Sequence, residues 1–171
     1  MASPTKLAHV VLRTGQLKAM LDWYVLVLDG RVVHHGEYLA FMTYDEEHHR
    51  VAFAVTGASE RPDDKYTGLH HVAFTYSTLG DLIGTYKRLK ALGIGPITTI
   101  NHGPTMSMYY ADPDGNNVEL QVDNFDTPEG AQEFLESDAF AKNPIGVVFD
   151  PDELAARFEA GEPVAELVKR P

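Results

Sequence analysis

The sequence of 171 residues contains no cysteine, which excludes a disulfide framework and any zinc site built on thiolates. A metal ion would therefore have to be bound by the imidazole groups of histidines and by carboxylates. This donor set suits harder divalent ions such as iron(II) and manganese(II).

Positive charge is scarce as well, since 14 Lys and Arg residues stand against 25 Asp and Glu residues, for a formal net charge of −11. A phosphate-binding surface needs clustered cations, and the sequence has no such cluster, so we expect no nucleic-acid partner. No run approaches roughly 18 apolar residues, and residues 1–6 lack an apolar segment, so we expect neither a membrane span nor a signal peptide. The predicted location is cytoplasmic.

The most informative feature is a short phrase that occurs twice, each time with a histidine. Residues 7–12 and 69–74 superpose so that His9 aligns with His71, 62 positions further along the chain. Alternation along the second phrase places His71 on one face of a strand and His70 on the opposite, helix-facing side. A repeat that carries a histidine in each copy indicates a site.

A helix pattern follows each copy of the phrase and ends in glycine at a nearly constant distance. His9 to Gly30 is 21 residues and His71 to Gly93 is 22 residues. Each copy then continues with three strand patterns, which predicts an α+β fold of two tandem βαβββ modules. The expected strands are Leu7–Leu12, Arg31–His35, Tyr38–Tyr44 and His49–Val55, then Leu69–Tyr76, Pro96–Ile100, Ser107–Ala111 and Asn117–Val122.

These patterns define the expected domain organisation. A paired-module domain covers residues 1–123, with modules at about 5–56 and 67–123 and a polar linker from Thr56 to Tyr66. Residues 124–171 form a C-terminal extension packed on the same domain, with helices that begin at Thr127-Pro128 and after Asp150-Pro151. We favour a packing appendage or subunit contact for this tail over a lid that gates the site.

The end of the second module supplies a third candidate ligand. Asp112-Pro113-Asp114-Gly115 is turn chemistry and predicts a β-hairpin, because proline fixes φ and glycine accepts a positive φ. Alternate residues from Val118 to Val122 would face the helix, so Glu119 would face the opposite side, to which His9 and His71 also point. Two histidines and one carboxylate on one surface make a candidate metal site.

These residues resemble the vicinal oxygen chelate superfamily, and within it the type I extradiol catechol dioxygenases. The resemblance covers roughly residues 5–123. The phrases that carry it are His49-Arg50-Val51-Ala52-Phe53, Leu69-His70-His71-Val72-Ala73-Phe74, His102-Gly103 and the run from Tyr109 to Glu119.

The resemblance implies an open, cup-like barrel in which the paired modules surround a metal. It implies that His9, His71 and Glu119 bind iron(II), with manganese(II) as the alternative ion, and that His49 is the acid/base catalyst. His102 and Tyr109 correspond to a histidine just outside the ligand set and to a tyrosine ten residues before the ligand glutamate. Since the chain begins directly with the active pair of modules, it resembles the one-domain form.

The implied function is ring cleavage of a catechol-type substrate, monocyclic or biaryl, by dioxygen, as in the catabolism of aromatic hydrocarbons. The expected partners are this small molecule, dioxygen and further copies of the chain in a homo-oligomer. A metal-dependent isomerase or lyase of the same superfamily would want a fourth ligand near residues 51–55, which offer none. A binding protein that uses no metal would not need three ligand residues, and Tyr109 taken alone could simply be a core aromatic residue.

Overall fold

The computed structural model of the protein describes residues 2–57, 60, 65 and 67–171. Most of the predicted linker from Thr56 to Tyr66 lies outside the described residues. The chain divides into two units, the first made of residues 1–68 and 112–116 and the second of residues 69–111 and 117–171.

The first unit is a βαβββ module. Its elements are β1 (Val10–Thr14), α1 (Leu17–Val27), β2 (Arg31–His35), β3 (Leu39–Thr43) and β4 (Val51–Val55). The sheet has the order β1-β4-β3-β2, with β1 parallel to β4 and the other neighbours antiparallel. Helix α1 buries Met20, Leu21 and Tyr24 along one face and packs on β3 and β4.

The second unit repeats this order and extends it. Its first elements are β5 (His71–Tyr76), α2 (Leu79–Ala91), β6 (Thr98–Asn101), β7 (Thr105–Ala111) and β8 (Asn117–Asp123). The sheet order is β5-β8-β7-β6, with β5 parallel to β8. Helix α2 begins where the Thr78 hydroxyl accepts a hydrogen bond from the Asp81 amide, at 3.1 Å. The predicted α+β class and the two βαβββ modules are confirmed.

The tail contains more elements than the two helices that its caps predict. They are α3 (Pro128–Leu135), α4 (Asp138–Lys142), β9 (Val147–Val148), α5 (Pro151–Glu159) and α6 (Val164–Leu167). The predicted starts of α3 and α5 are confirmed, with Thr127 and Asp150 as their N-caps. The two-residue strand β9 pairs with β6 at the outer edge of the second sheet, where it is too short to leave a periodic pattern in the sequence.

The predicted strand starts at Leu7 and His49 are wrong, since β1 begins at Val10 and β4 at Val51. For β1 the physical reason is Arg50, whose guanidinium donates hydrogen bonds to the carbonyls of Leu7 (2.7 Å) and Ala8 (3.1 Å). Those carbonyls therefore bind a side chain instead of a neighbouring strand. His9 and His49 lie just ahead of the two strands.

No helix within the described ranges is long and apolar enough to cross a membrane.

The predicted turn at residues 112–115 is confirmed and is anchored by Asp112. One carboxylate oxygen accepts the amides of Asp114 (3.0 Å) and Asn116 (2.8 Å). The other accepts the Tyr24 hydroxyl at 3.0 Å and the Asn116 side-chain amide at 2.8 Å. Burial and the charge of Asp112 raise the pKa of Tyr24, so the phenol keeps its proton and donates.

This buried pair gives a stability prediction. Tyr24→Phe should lower the free energy of unfolding by about 1–2 kcal/mol, because it removes one donor to a buried carboxylate. Asp112→Ala should cost about 3 kcal/mol or more, since four donors lose their acceptor. Urea denaturation measures both. Tyr38→Phe is the matched control because Tyr38 is 66% exposed, and equal losses for the two tyrosines would contradict the assignment.

Candidate active site

In the second unit, His71 and Glu119 lie side by side on neighbouring strands. Strands β5 and β8 are parallel, and their register sets Ala73 opposite Glu119, which places the carboxylate next to the start of β5. The Nε2 atom of His71 is 2.9 Å from Oε2 of Glu119, whose residue is only 4% exposed. A carboxylate this deeply buried needs a partner, and an imidazole supplies it.

His70 does not have the helix-facing position that strand alternation predicts. It precedes β5 and is exposed, so the alternation of the strand does not apply to it. Its Nδ1 atom lies 2.7 Å from Nδ1 of His71. His71, and not His70, is therefore the histidine that faces the carboxylate.

Tyr109 stands directly opposite Glu119 in the antiparallel pairing of β7 and β8. Its ring meets the ring of His71 edge to face, with centroids 5.6 Å apart. Burial, the negative charge of Glu119 and a hydrogen bond to that carboxylate raise the pKa of Tyr109, while a hydrogen bond with Ser107 acts in the opposite direction. The phenol is therefore protonated near neutral pH.

His102 continues this group from the end of β6. Its Nε2 atom is 2.9 Å from the hydroxyl oxygen of Tyr109. Its Nδ1 atom contacts the backbone carbonyl oxygen of Ile145, in the tail. Four of the predicted site residues thus form one polar chain in this unit, running from His102 through Tyr109 to Glu119 and His71.

The first unit brings the other two predicted residues together. His9 and His49 each stand one or two positions ahead of the parallel strands β1 and β4, and their rings are 4.4 Å apart. Phe41 stacks on the ring of His49 with a centroid distance of 4.7 Å and an angle of 17°. The Nδ1 atoms of His48 and His49 are 2.6 Å apart.

The surroundings of His49 favour its neutral form. Desolvation is the largest cause that lowers the pKa of His49, and the positive charges that His48 and His9 can carry lower it further. Glu47 acts in the opposite direction. An imidazole held neutral near pH 7 can accept a proton.

The imidazole and carboxylate donors present fit a divalent ion such as iron(II) or manganese(II). Two ligands bound at right angles, each about 2.1 Å from an ion, lie about 3 Å apart. The Nε2 atom of His71 and the Oε2 atom of Glu119 have that separation, at 2.9 Å. Within either unit taken by itself, the described residues contain no group of three or more His, Asp and Glu side chains placed to hold a metal.

The roles of three residues in these clusters cannot be predicted from the sequence. Phe41 has only its alternation within a strand as a signal, and that pattern does not say which ring it stacks on. Ile145 takes part through its backbone carbonyl, which no sequence pattern reveals. Arg170 donates a hydrogen bond to the His102 carbonyl from 68 residues further along the chain.

Comparisons with known proteins agree on a family. Residues 6–120 match the model of the Glyoxalase/Bleomycin resistance protein/Dioxygenase superfamily. The chain is 49% identical over 165 residues to biphenyl-2,3-diol 1,2-dioxygenase 2 of Rhodococcus globerulus, covering 96% of this chain and 87% of that protein. It is 46% identical over 167 residues to biphenyl-2,3-diol 1,2-dioxygenase 3 of the same organism, covering 96% and 88%.

Solved structures show the same fold at lower identity. Lactoylglutathione lyase from Agrobacterium tumefaciens superposes with a TM-score of 0.59 at 21% identity, over 71% of this chain and 96% of that one. A glyoxylase/bleomycin resistance protein/dioxygenase domain from Frankia sp. EAN1pec gives a TM-score of 0.58 at 20% identity, over 71% and 99%. At these identities the likeness concerns the fold alone.

Proposed function

Since the chain belongs to the Glyoxalase/Bleomycin resistance protein/Dioxygenase superfamily, we propose that it is an extradiol ring-cleaving dioxygenase that acts on biphenyl-2,3-diol or a related catechol. Its two relatives from Rhodococcus globerulus, 49% and 46% identical, carry the name of that activity. The observation that carries the proposal is the pairing of His71 with the buried Glu119 at 2.9 Å, with Tyr109 and His102 behind it.

In this proposal His9, His71 and Glu119 bind an iron(II) ion, or manganese(II) in its place. When bound, an ion with these three protein ligands supplies three open positions, two for the catechol oxygens and one for dioxygen. Tyr109 supports the site because it stands opposite Glu119 in the pairing of β7 and β8 and packs edge to face on the ring of His71, which helps to fix the orientation of both proposed ligands.

His49 is the proposed acid/base residue. Its neutral imidazole takes a proton from a catechol hydroxyl and returns one during ring opening. Imidazole is suited to both transfers near neutral pH. Phe41 holds the plane of that ring by stacking. The pair of His102 and Tyr109 offers a second place where a proton can be held, at Nε2 of His102 or at the Tyr109 oxygen, 2.9 Å apart.

The alternatives draw less support. An isomerase or lyase site would want a fourth ligand in β4, whose residues Val51–Val55 are all apolar. A binding protein that uses no metal would not need three residues of ligand type, which His9, His71 and Glu119 supply. The cytoplasmic location and the homo-oligomeric state stay predictions.

A vicinal diol should be essential for oxygen consumption. Biphenyl-2,3-diol should drive uptake of dioxygen by the iron(II)-loaded protein, whereas its monomethyl ether should not, because methylation removes one of the two oxygens that a bidentate catecholate needs. An oxygen electrode measures both rates. Equal consumption with the two compounds would refute the extradiol mechanism.

A further inference from the structure

The end of the chain is tied to the segment that carries His102. The Arg170 guanidinium donates to the backbone carbonyl of His102 at 3.0 Å, and a second nitrogen of the same group donates to the carbonyl of Asn143. Its carbon lies 5.7 Å from the centre of the Phe134 ring. One side chain thus links His102 to the loop at residues 143–146.

That loop is stabilised by hydrogen bonds between its own residues. The Asn143 side chain donates to the Gly146 carbonyl at 2.8 Å and accepts from the Gly146 amide at 2.9 Å. Gly146 has a φ of +114°, and a Cβ there would lie 2.4 Å from the carbonyl oxygen of Asn101. The carbonyl of Ile145 lies in the middle of this loop and contacts Nδ1 of His102, while the residue as a whole is 67% exposed.

The backbone around His102 is fixed from the other side as well. The Asn101 side chain accepts from the Gly103 amide at 2.9 Å and donates to the Val168 carbonyl at 2.9 Å. Phe134 packs so closely on Gly103 that a Cβ there would lie 2.1 Å from the ring. The imidazole of His102 and the carbonyl of Ile145 are therefore brought together by the tail.

A carbonyl can only accept a hydrogen bond, so this contact places a proton on Nδ1 of His102. In the neutral ring, Nε2 is then the acceptor that faces the Tyr109 hydroxyl. When the ring is protonated, Nε2 donates a hydrogen bond to the Tyr109 hydroxyl. The hydrogen of that hydroxyl is then free to bond the Glu119 carboxylate. In both states the exchange of a proton with Tyr109 takes place at Nε2.

We propose that Arg170 is a positioning residue, which holds the Ile145 carbonyl against His102 and so fixes the tautomer with its proton on Nδ1. Nε2 is then the only nitrogen of His102 that exchanges a proton with Tyr109. The catalytic value of this arrangement rests on the proposed function, whereas the tautomer itself does not.

Nitrogen NMR of the full-length protein, labelled at its histidines, tests the proposal above the reference imidazole pKa of about 6.5. His102→Gln identifies the signals of His102 by their loss. The wild type and Lys169→Ala, the matched control at an exposed neighbouring cation, should show His102 protonated on Nδ1. Arg170→Met should show a mixture of both tautomers, because the loop is released. Gly146→Ala, which displaces the same loop but keeps the Arg170 side chain, should give the same mixture.

Turnover supplies the second measurement. Arg170→Met should lower kcat roughly ten- to hundredfold with little change in KM, and Lys169→Ala should leave both unchanged. The proposal would be overturned if His102 of the wild type carried its proton on Nε2. It would also be overturned if Arg170→Met and Gly146→Ala both folded and both kept the proton on Nδ1. A changed tautomer with unchanged kcat would overturn the positioning role alone. Absence of ring cleavage in the wild type would instead overturn the proposed function and leave the tautomer result intact.

Discussion

His71→Ala is expected to abolish metal retention, whereas His70→Ala should keep about one iron(II) or manganese(II) ion per chain. The reason is geometric, because Nε2 of His71 lies 2.9 Å from the buried Glu119 carboxylate while His70 is exposed ahead of β5. Elemental analysis after dialysis measures the bound metal. Glu119→Gln should weaken retention too, since the amide keeps the shape of the carboxylate but loses its charge.

Because the two histidines are adjacent, each substitution serves as the control for the other. The two substitutions remove the same imidazole from neighbouring positions, so composition and net charge change equally. If His70→Ala stripped the metal and His71→Ala kept it, the assignment of faces at the start of β5 would be wrong by one residue.

The second large effect is expected at His49. His49→Ala or His49→Gln should leave the iron content nearly intact while lowering kcat by roughly 10²- to 10⁴-fold, the usual effect of losing a positioned proton-transfer group. Metal content and steady-state oxygen uptake, measured on the same preparation, separate ligation from proton transfer. His48→Ala is the matched control, because His48 is exposed and its loss should change kcat much less.

A wild-type rate in His49→Ala would show that another group carries the proton. His102 or Tyr109 would then be the candidates, since they form a titratable pair outside the proposed ligand set, with 2.9 Å between their polar atoms. Loss of iron together with activity would instead assign His49 to the ligand set.

The sequence predicts those parts of the site that local periodicity controls. Alternation correctly buries Val118 and Leu120 in β8, and the duplicated phrase correctly locates two strands, β1 just after His9 and β5 beginning at His71. The repeat also gives the two βαβββ modules, because each copy carries its own helix stop.

The features that the sequence does not predict depend on contacts between residues that are far apart in the chain. Arg50 draws the carbonyls of Leu7 and Ala8 out of the ladder, which shortens β1. Strand β9 and the contact of Arg170 with His102 depend on how the tail folds back onto β6, and no pattern in residues 124–171 encodes that partner. Such contacts are properties of the assembled structure and not of a sequence window.

Mass spectrometry of the product formed under isotopically labelled dioxygen tests the central claim most directly. The iron(II)-loaded protein should convert biphenyl-2,3-diol into a ring-opened oxo acid that is heavier than the diol by one molecule of dioxygen and carries the label. Cleavage should fall beside the two hydroxylated carbons and not between them. A product with an intact ring, cleavage between the hydroxylated carbons, or an isomer without label would contradict the assignment of this chain as an extradiol dioxygenase.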